Sequence, residues 1–129
     1  MSKKKILVVD DEEDIAFNVK LRLQANNYDV ILATDGQMGF EKAQKENPDL
    51  MILDLMLPKM DGYKVCGLLK HDSRYAHIPI ILFSAKAQEK DMEMGKEAGA
   101  DAYLTKPFDA QLLLAKVKED ASLSKTPII

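Results

Sequence analysis

Cysteine is almost absent from this chain of 129 residues: Cys66 stands alone, which excludes an internal disulfide and a Cys-x-x-Cys metal or redox site. A lone cysteine of this kind usually packs as a small apolar group, here on a helix. No apolar run approaches the roughly 20 residues of a membrane span. The first such run, Ile6 to Val9, is too short for a signal peptide. Excess positive charge is missing too. A formal net charge of −3 gives no pull toward nucleic acid or an anionic membrane, and Lys3-Lys4-Lys5 reads as a solvated lead-in to the first strand. His71 and His77 share no ligand spacing and read as surface residues. These absences leave a cytoplasmic protein as the expectation, with no membrane and no direct nucleic-acid partner. Apolar content of 47% against 30% charge is that of an ordinary globular protein, and the length suits one domain with a proper core.

What is present is an alternation. Ile6-Leu7-Val8-Val9 is a continuous apolar run, the pattern of a strand buried on both faces. Asp14 to Asn26 then has helical spacing, with Ile15, Val19 and Leu23 four apart and Ala16 on the same side. Tyr28–Ala33 reads as a second strand and Gly36–Glu46 as a second helix, closed by the turn Asn47-Pro48-Asp49. Strand three is Leu50–Asp54, and Pro58 to Gly62 form a loop. Helix three runs from Tyr63 to His71, with Val65, Leu68 and Leu69 expected inward. Strand four spans Ile78–Phe83, where Pro79 is tolerable near the start. Helix four, Gln88–Ala98, is weakly apolar; Met92 and Ala98 are its core candidates and Gly99 its stop. Strand five is Ala102–Thr105, and Asp109 caps a last helix carrying Leu113, Leu114 and Val117. Five strands alternating with five helices mean βαβ units, an α/β fold and a parallel sheet.

In such sheets ligands sit beyond the carboxyl ends of the strands. The polar residues collect there: Asp10-Asp11 after strand one, Asp54 at the end of strand three, Ser84 after strand four and Lys106 after strand five. Asp54 is a lone carboxylate between Leu50-Met51-Ile52-Leu53 and Leu55-Met56-Leu57-Pro58, where a charge needs a cation nearby. Three carboxylates in one cleft repel each other and need a cation to stay ionised. The candidate ligands are all hard oxygens, which favours Mg²⁺. Lys106 adds a point charge suited to a carboxylate or phosphoryl oxygen, and Ser84 a hydroxyl donor. A carboxylate can itself attack phosphorus to give an acyl phosphate. The set reads as a phospho-aspartate site, with Asp54 as acceptor, Asp10 and Asp11 for the metal, and Lys106 and Ser84 for the phosphoryl group.

Each residue has a plainer reading by itself. Asp11 suits the start of a helix, Ser84 the end of a strand, Tyr103 a half-buried strand position with a wet hydroxyl, and Lys106 a solvated loop. Asp54 resists such a reading most, because its flanks are so apolar. The methionines, among them Met51, Met56, Met60, Met92 and Met94, read as gap-fillers.

Taken together, Val8-Val9-Asp10-Asp11, Asp54-Leu55-Met56-Leu57-Pro58-Lys59-Met60-Asp61-Gly62, Ser84-Ala85 and Lys106-Pro107-Phe108 resemble a response-regulator receiver domain over about residues 4 to 121. Residues 1–121 would then be the receiver, and 122–129 a tail or the start of a linker. The resemblance implies a doubly wound, flavodoxin-like sheet of order 2-1-3-4-5 flanked by five helices. It implies phosphotransfer to Asp54 from a histidine kinase or phosphotransfer protein, and acceptance of small donors such as acetyl phosphate. It also implies a backbone carbonyl of Met56 on the Mg²⁺, a switch made by Ser84 and Tyr103, a cis Lys106-Pro107 bond, and a downstream protein or output domain that reads the switch. Gly99-Ala100-Asp101-Ala102-Tyr103-Leu104 and Ala115-Lys116-Val117-Lys118 are similar to winged-helix transcription regulators that dimerise through helix four, strand five and helix five. Ala102, Lys116 and Lys118 depart from that pattern, which has an acid and two arginines there. Two other classes compete. A haloacid-dehalogenase-type phosphatase has a second aspartate two residues after its nucleophile, where this chain has Met56. A flavodoxin-type flavin binder needs a Ser/Thr/Gly-rich phosphate loop where this chain has Asp10-Asp11-Glu12-Glu13.

Overall fold

The apolar runs become the three inner strands of a parallel sheet, in a computed structural model that describes residues 3–85, 88–106 and 110–124. The elements are β1 (Lys5–Val9), α1 (Glu13–Ala25), β2 (Asp29–Ala33), α2 (Gly36–Glu46), β3 (Leu50–Asp54), α3 (Gly62–Lys70), β4 (Ile80–Ser84), α4 (Glu89–Glu97), β5 (Ala102–Thr105) and α5 (Ala110–Ser124). The strand order is β2-β1-β3-β4-β5 with every pairing parallel, as expected. Every residue of β3 and β4 is buried, and so are the last four of β1; the edge strands β2 and β5 are partly exposed. Strands covered on both faces cannot alternate apolar with polar, which is why these runs are continuous.

Side chains along a strand point alternately to opposite faces, and two cores result. Ile6, Val8, Leu50, Ile52, Ile81, Phe83 and Leu104 meet Val19 and Leu23 of α1 and Leu113 and Val117 of α5. Leu7, Val9, Met51, Leu53, Ile80 and Leu82 meet Ala43 of α2 and Val65, Cys66 and Leu69 of α3. The same alternation continues into the strand ends. Asp10 follows Ile6 and Val8, Asp54 follows Leu50 and Ile52, and Lys106 follows Leu104, so all three continue the α1/α5 side. Tyr103 packs with the opposite core.

Several inward positions differ from the sequence expectation. Leu68 is 43% exposed, and Cys66, one step round the helix from Val65, takes the buried place. Met92 is 42% exposed; the buried residues of α4 are Asp91 and Gly95, so this helix turns almost no apolar side chain to the sheet. β4 begins at Ile80, two residues later than the hydrophobic pattern suggests. Pro79 lacks an N–H for the ladder, although its carbonyl accepts from the Met51 N–H at 2.9 Å. The expected cap Asp109 and the Lys106-Pro107 bond lie at or beyond the edge of the described residues.

Candidate functional site

The carboxyl edge of the sheet gathers charge into a place the strands hold rigidly. Asp10 is fully buried just past β1, where its N–H donates to the Ala33 carbonyl at 3.0 Å. Asp54 ends β3 and is 3% exposed. Lys106 follows β5, and its N–H donates to the Ser84 carbonyl at 2.8 Å. From there its ammonium reaches Asp54 Oδ2 at 2.8 Å, Asp10 Oδ2 at 3.2 Å and Glu12 Oε1 at 3.2 Å. The same Nζ lies 4.7 Å from the centroid of the Phe83 ring, whose face adds a weak attraction for the cation. The remaining carboxylate oxygens are also used. Asp54 Oδ1 accepts from the Met56 N–H at 3.0 Å, and Asp10 Oδ1 from the Glu12 N–H at 2.9 Å.

One lysine cannot neutralise three acids, and Asp10 and Lys106 are both shifted in this setting. Burial raises the Asp10 carboxyl to about 6; the Glu12 N–H works against that, the Asp54 charge adds to it and Lys106 opposes it. For Lys106, burial alone lowers the pKa, but the hydrogen bond to Asp54 and the charges of Asp10 and Asp54 overcome it and carry the ammonium to about 12. The folded Asp10 pKa lies above the ordinary 3.8, so folding takes up a proton between those values. Stability therefore falls as pH rises from about 4 through 6, and the full penalty is present above that. Asp10→Asn removes it. In metal-free buffer the variant should be more stable than wild type by about 3 kcal/mol at pH 7.5, with the gain shrinking toward pH 4. Urea unfolding at the two pH values checks this; an equal difference at both would contradict it.

Among the described residues, carboxylate oxygens of Asp10, Glu12 and Asp54 lie within 4.8 Å of one another. Three hard oxygens around too little positive charge suit a divalent hard cation such as Mg²⁺. The structure thus brings together Asp10, Asp54 and Lys106. It adds Glu12, which the sequence reading did not single out, and leaves Asp11 exposed at the mouth. Met56 is 59% exposed and meets the site through its backbone. Ser84 is buried at the end of β4, and the hydroxyl of Tyr103, half-buried on β5, lies near enough to it to be affected by it. A cleft of about 540 Å³, bordered by Glu12, Asn18, Arg22, Ala85 and Lys106, opens on the lysine side. No helix among the described residues is long and apolar enough to cross a membrane.

Comparison with known proteins agrees with this architecture. The model of the response regulator receiver domain matches residues 6–118. The alkaline phosphatase synthesis transcriptional regulatory protein PhoP of Bacillus subtilis (strain 168) is 48% identical over 115 residues, which cover 89% of this chain and 47% of that protein. The chain spans about half the length of the curated relatives it matches. Among solved structures, a CheY-like response regulator receiver domain protein from Methanospirillum hungatei JF-1 superposes with a TM-score of 0.89 at 30% identity, covering 96% of this chain and 98% of that one. The chemotaxis protein CheY4 of Vibrio cholerae gives 0.85 at 32% identity, over 92% and 98%. A match that runs from β1 into α5 shows the family, and this chain belongs to the receiver domains of the response regulators of two-component signalling.

Proposed function

We propose that Asp54 accepts a phosphoryl group from a phosphohistidine of a kinase or phosphotransfer protein, within a receiver unit of residues 1–121. The observation that carries this is the placement of Asp54: a buried carboxylate, aligned by the Met56 N–H on one oxygen and met by Lys106 at 2.8 Å on the other. A carboxylate oxygen forms the new O–P bond as the P–N bond to the donor imidazole breaks, and the imidazole leaves with the electron pair and takes up a proton. The product is an acyl phosphate. Lys106 then has phosphoryl oxygens to pair with, and Glu12 gives up its place on that ammonium. Asp10, Asp11, Asp54 and the Met56 carbonyl would hold Mg²⁺, with Glu12 at its margin. The ion, when bound, supplies charge neutralisation for the carboxylates and for the phosphoryl oxygens.

The readout follows from Ser84 and Tyr103. A phosphoryl group brings new negative charge and acceptor oxygens, for which the Ser84 hydroxyl is the nearby donor, and Tyr103 behind it follows. That movement rewards one of two packings of the α4–β5–α5 surface. The surface is then read in the cytoplasm by an output domain or partner protein, or by a second copy of the chain. The relative PhoP is named a transcriptional regulatory protein, and by that likeness the output governs transcription, with the nucleic-acid contact made outside this acidic domain.

Incubation with Mg²⁺ and saturating acetyl phosphate, followed by intact-mass measurement, tests the reading. One phosphoryl adduct per chain, removed by hydroxylamine as an acyl phosphate should be, is the expected result. An unchanged mass would refute it.

A further inference from the structure

α4 is the helix with least reason to stay where it is. Its buried positions are Asp91 and Gly95, a carboxylate and a residue with no side chain, so apolar burial anchors it weakly. Two tyrosines from other elements supply what the helix lacks. Tyr63, in the first turn of α3, donates its hydroxyl to the Asp91 carbonyl in the first turn of α4 at 2.8 Å. Tyr103 lays its ring against Gly95, where an added Cβ would stand 3.3 Å from a ring carbon and 3.1 Å from Leu82 Cδ1. The two phenol hydroxyls are close enough to influence each other, and the Tyr103 hydroxyl lies near that of Ser84 as well. Tyr63 has a single proton and commits it to Asp91, so toward Tyr103 it is available only as acceptor. Both hydroxyls are held above their ordinary pKa, first by burial; the Asp91 charge adds to this at each, and the Tyr63 phenol adds to it at Tyr103. They therefore remain neutral hydrogen-bonding groups through the physiological range.

We propose that Tyr63 is a positioning residue of the switch, joining Tyr103 to the first turn of α4 so that the place of Tyr103 sets how firmly α4 is held on the sheet. This rests on reading Ser84 and Tyr103 as the switch pair. A shift of the Tyr103 hydroxyl toward Ser84 draws it away from Tyr63 and loosens the clamp on a helix whose buried residues are only Asp91 and Gly95. A signal at the end of β4 thereby reaches α4 through three hydroxyls.

Hydrogen exchange of the α4 amides, measured on wild type and on Tyr63→Phe with and without acetyl phosphate and Mg²⁺, tests the proposal. The variant keeps the ring and loses the clamp. Without donor, its α4 amides should exchange roughly five-fold faster than in wild type, the effect of one partly buried hydrogen bond, while β1, β3 and α2 amides stay unchanged. The adduct on Asp54 should form at the wild-type rate, because Tyr63 does not touch the reacting groups. Phosphorylation should alter α4 exchange in wild type and do so much less in Tyr63→Phe. Equal α4 exchange in the two resting proteins, acceleration spread evenly over all helices, or a full-sized phosphorylation response in the variant would each overturn the clamp. Absence of an adduct on wild type would instead refute the phosphoryl reading, and the resting-state comparison would still decide whether Tyr63 holds α4.

Discussion

Asp54→Asn takes up no phosphoryl group from acetyl phosphate under conditions that fully convert wild type, yet it folds at least as stably. The first half of this expectation is chemical. An amide offers no ionised oxygen to attack phosphorus, and the two acids beside it cannot take over. Asp10 commits one oxygen to the Glu12 N–H and the other to Lys106, and Glu12 is largely exposed at the rim. The second half follows from the packing. The asparagine side chain retains a carbonyl oxygen for the Met56 N–H, so the chain reversal after β3 keeps its hydrogen bond. The substitution also removes one of two buried negative charges that face each other, leaving Lys106 to Asp10 and Glu12. Because the Asp54 charge helps to raise the Asp10 carboxyl, that pKa should fall in the variant and the loss of stability between about pH 4 and 6 should lessen. Intact mass reads the first outcome, and urea unfolding at pH 7.5 the second. A residual adduct at the wild-type level would move the acceptor to another residue.

Gly36→Ala should be among the most damaging single methyl additions in the domain, although it lies outside the acidic cluster. Gly36 opens α2 behind the cap Asp35, whose side chain accepts from the Met38 N–H. Its own N–H donates to the Pro58 carbonyl at 3.3 Å. A Cβ built there would stand 1.7 Å from the Met60 carbonyl oxygen and 2.6 Å from its carbon, both backbone atoms. No rotamer change relieves a clash with backbone, so the loop between β3 and α3 must move. That loop is already constrained: Lys59 has φ of 69°, and Gly62 leaves no room either, with a Cβ there only 2.4 Å from the Asp54 carbonyl. Overpacking of this kind costs about 3 kcal/mol or more, which lowers the melting temperature by roughly 10 °C in a domain of this size. Thermal unfolding of the purified variant measures it; a change below about 2 °C would show that the loop yields freely. Because the loop starts at the residues that align Asp54, adduct formation should slow as well.

Much of the molecule was legible in the amino-acid order. The strands announce themselves because a sheet covered on both faces demands continuous apolar runs, and strands one, three and five are found within a residue of their expected limits. The polar strand ends are equally plain, since each interrupts or follows such a run. Helix faces were harder. Leu68 and Cys66 are both apolar enough to be buried, and which one faces inward depends on how α3 is rotated against the sheet. Met92 reads as a core residue on α4, but the helix turns Gly95 toward the sheet instead, where an added Cβ would stand 3.3 Å from the ring of Tyr103. Glu12 was hidden in the acidic stretch Asp10-Asp11-Glu12-Glu13, where composition gives four equivalent candidates. The turn that returns the Glu12 N–H to Asp10 Oδ1 selects among them, carrying the Glu12 carboxylate back toward Lys106 and leaving Asp11 outward.

The sequence by itself determined the α/β alternation, the three buried strands and the acidic and basic residues at their carboxyl ends, because period and burial are local properties of the chain. Tertiary structure alone decided which of those charges meet. Asp10, Asp54 and Lys106 are dozens of residues apart and come within 3.2 Å because three parallel strands end at one edge with the same side-chain parity. The link from Tyr63 to Asp91 is of the same kind, since a hydrogen bond between two helices depends on where the sheet sets them, and no local pattern records that.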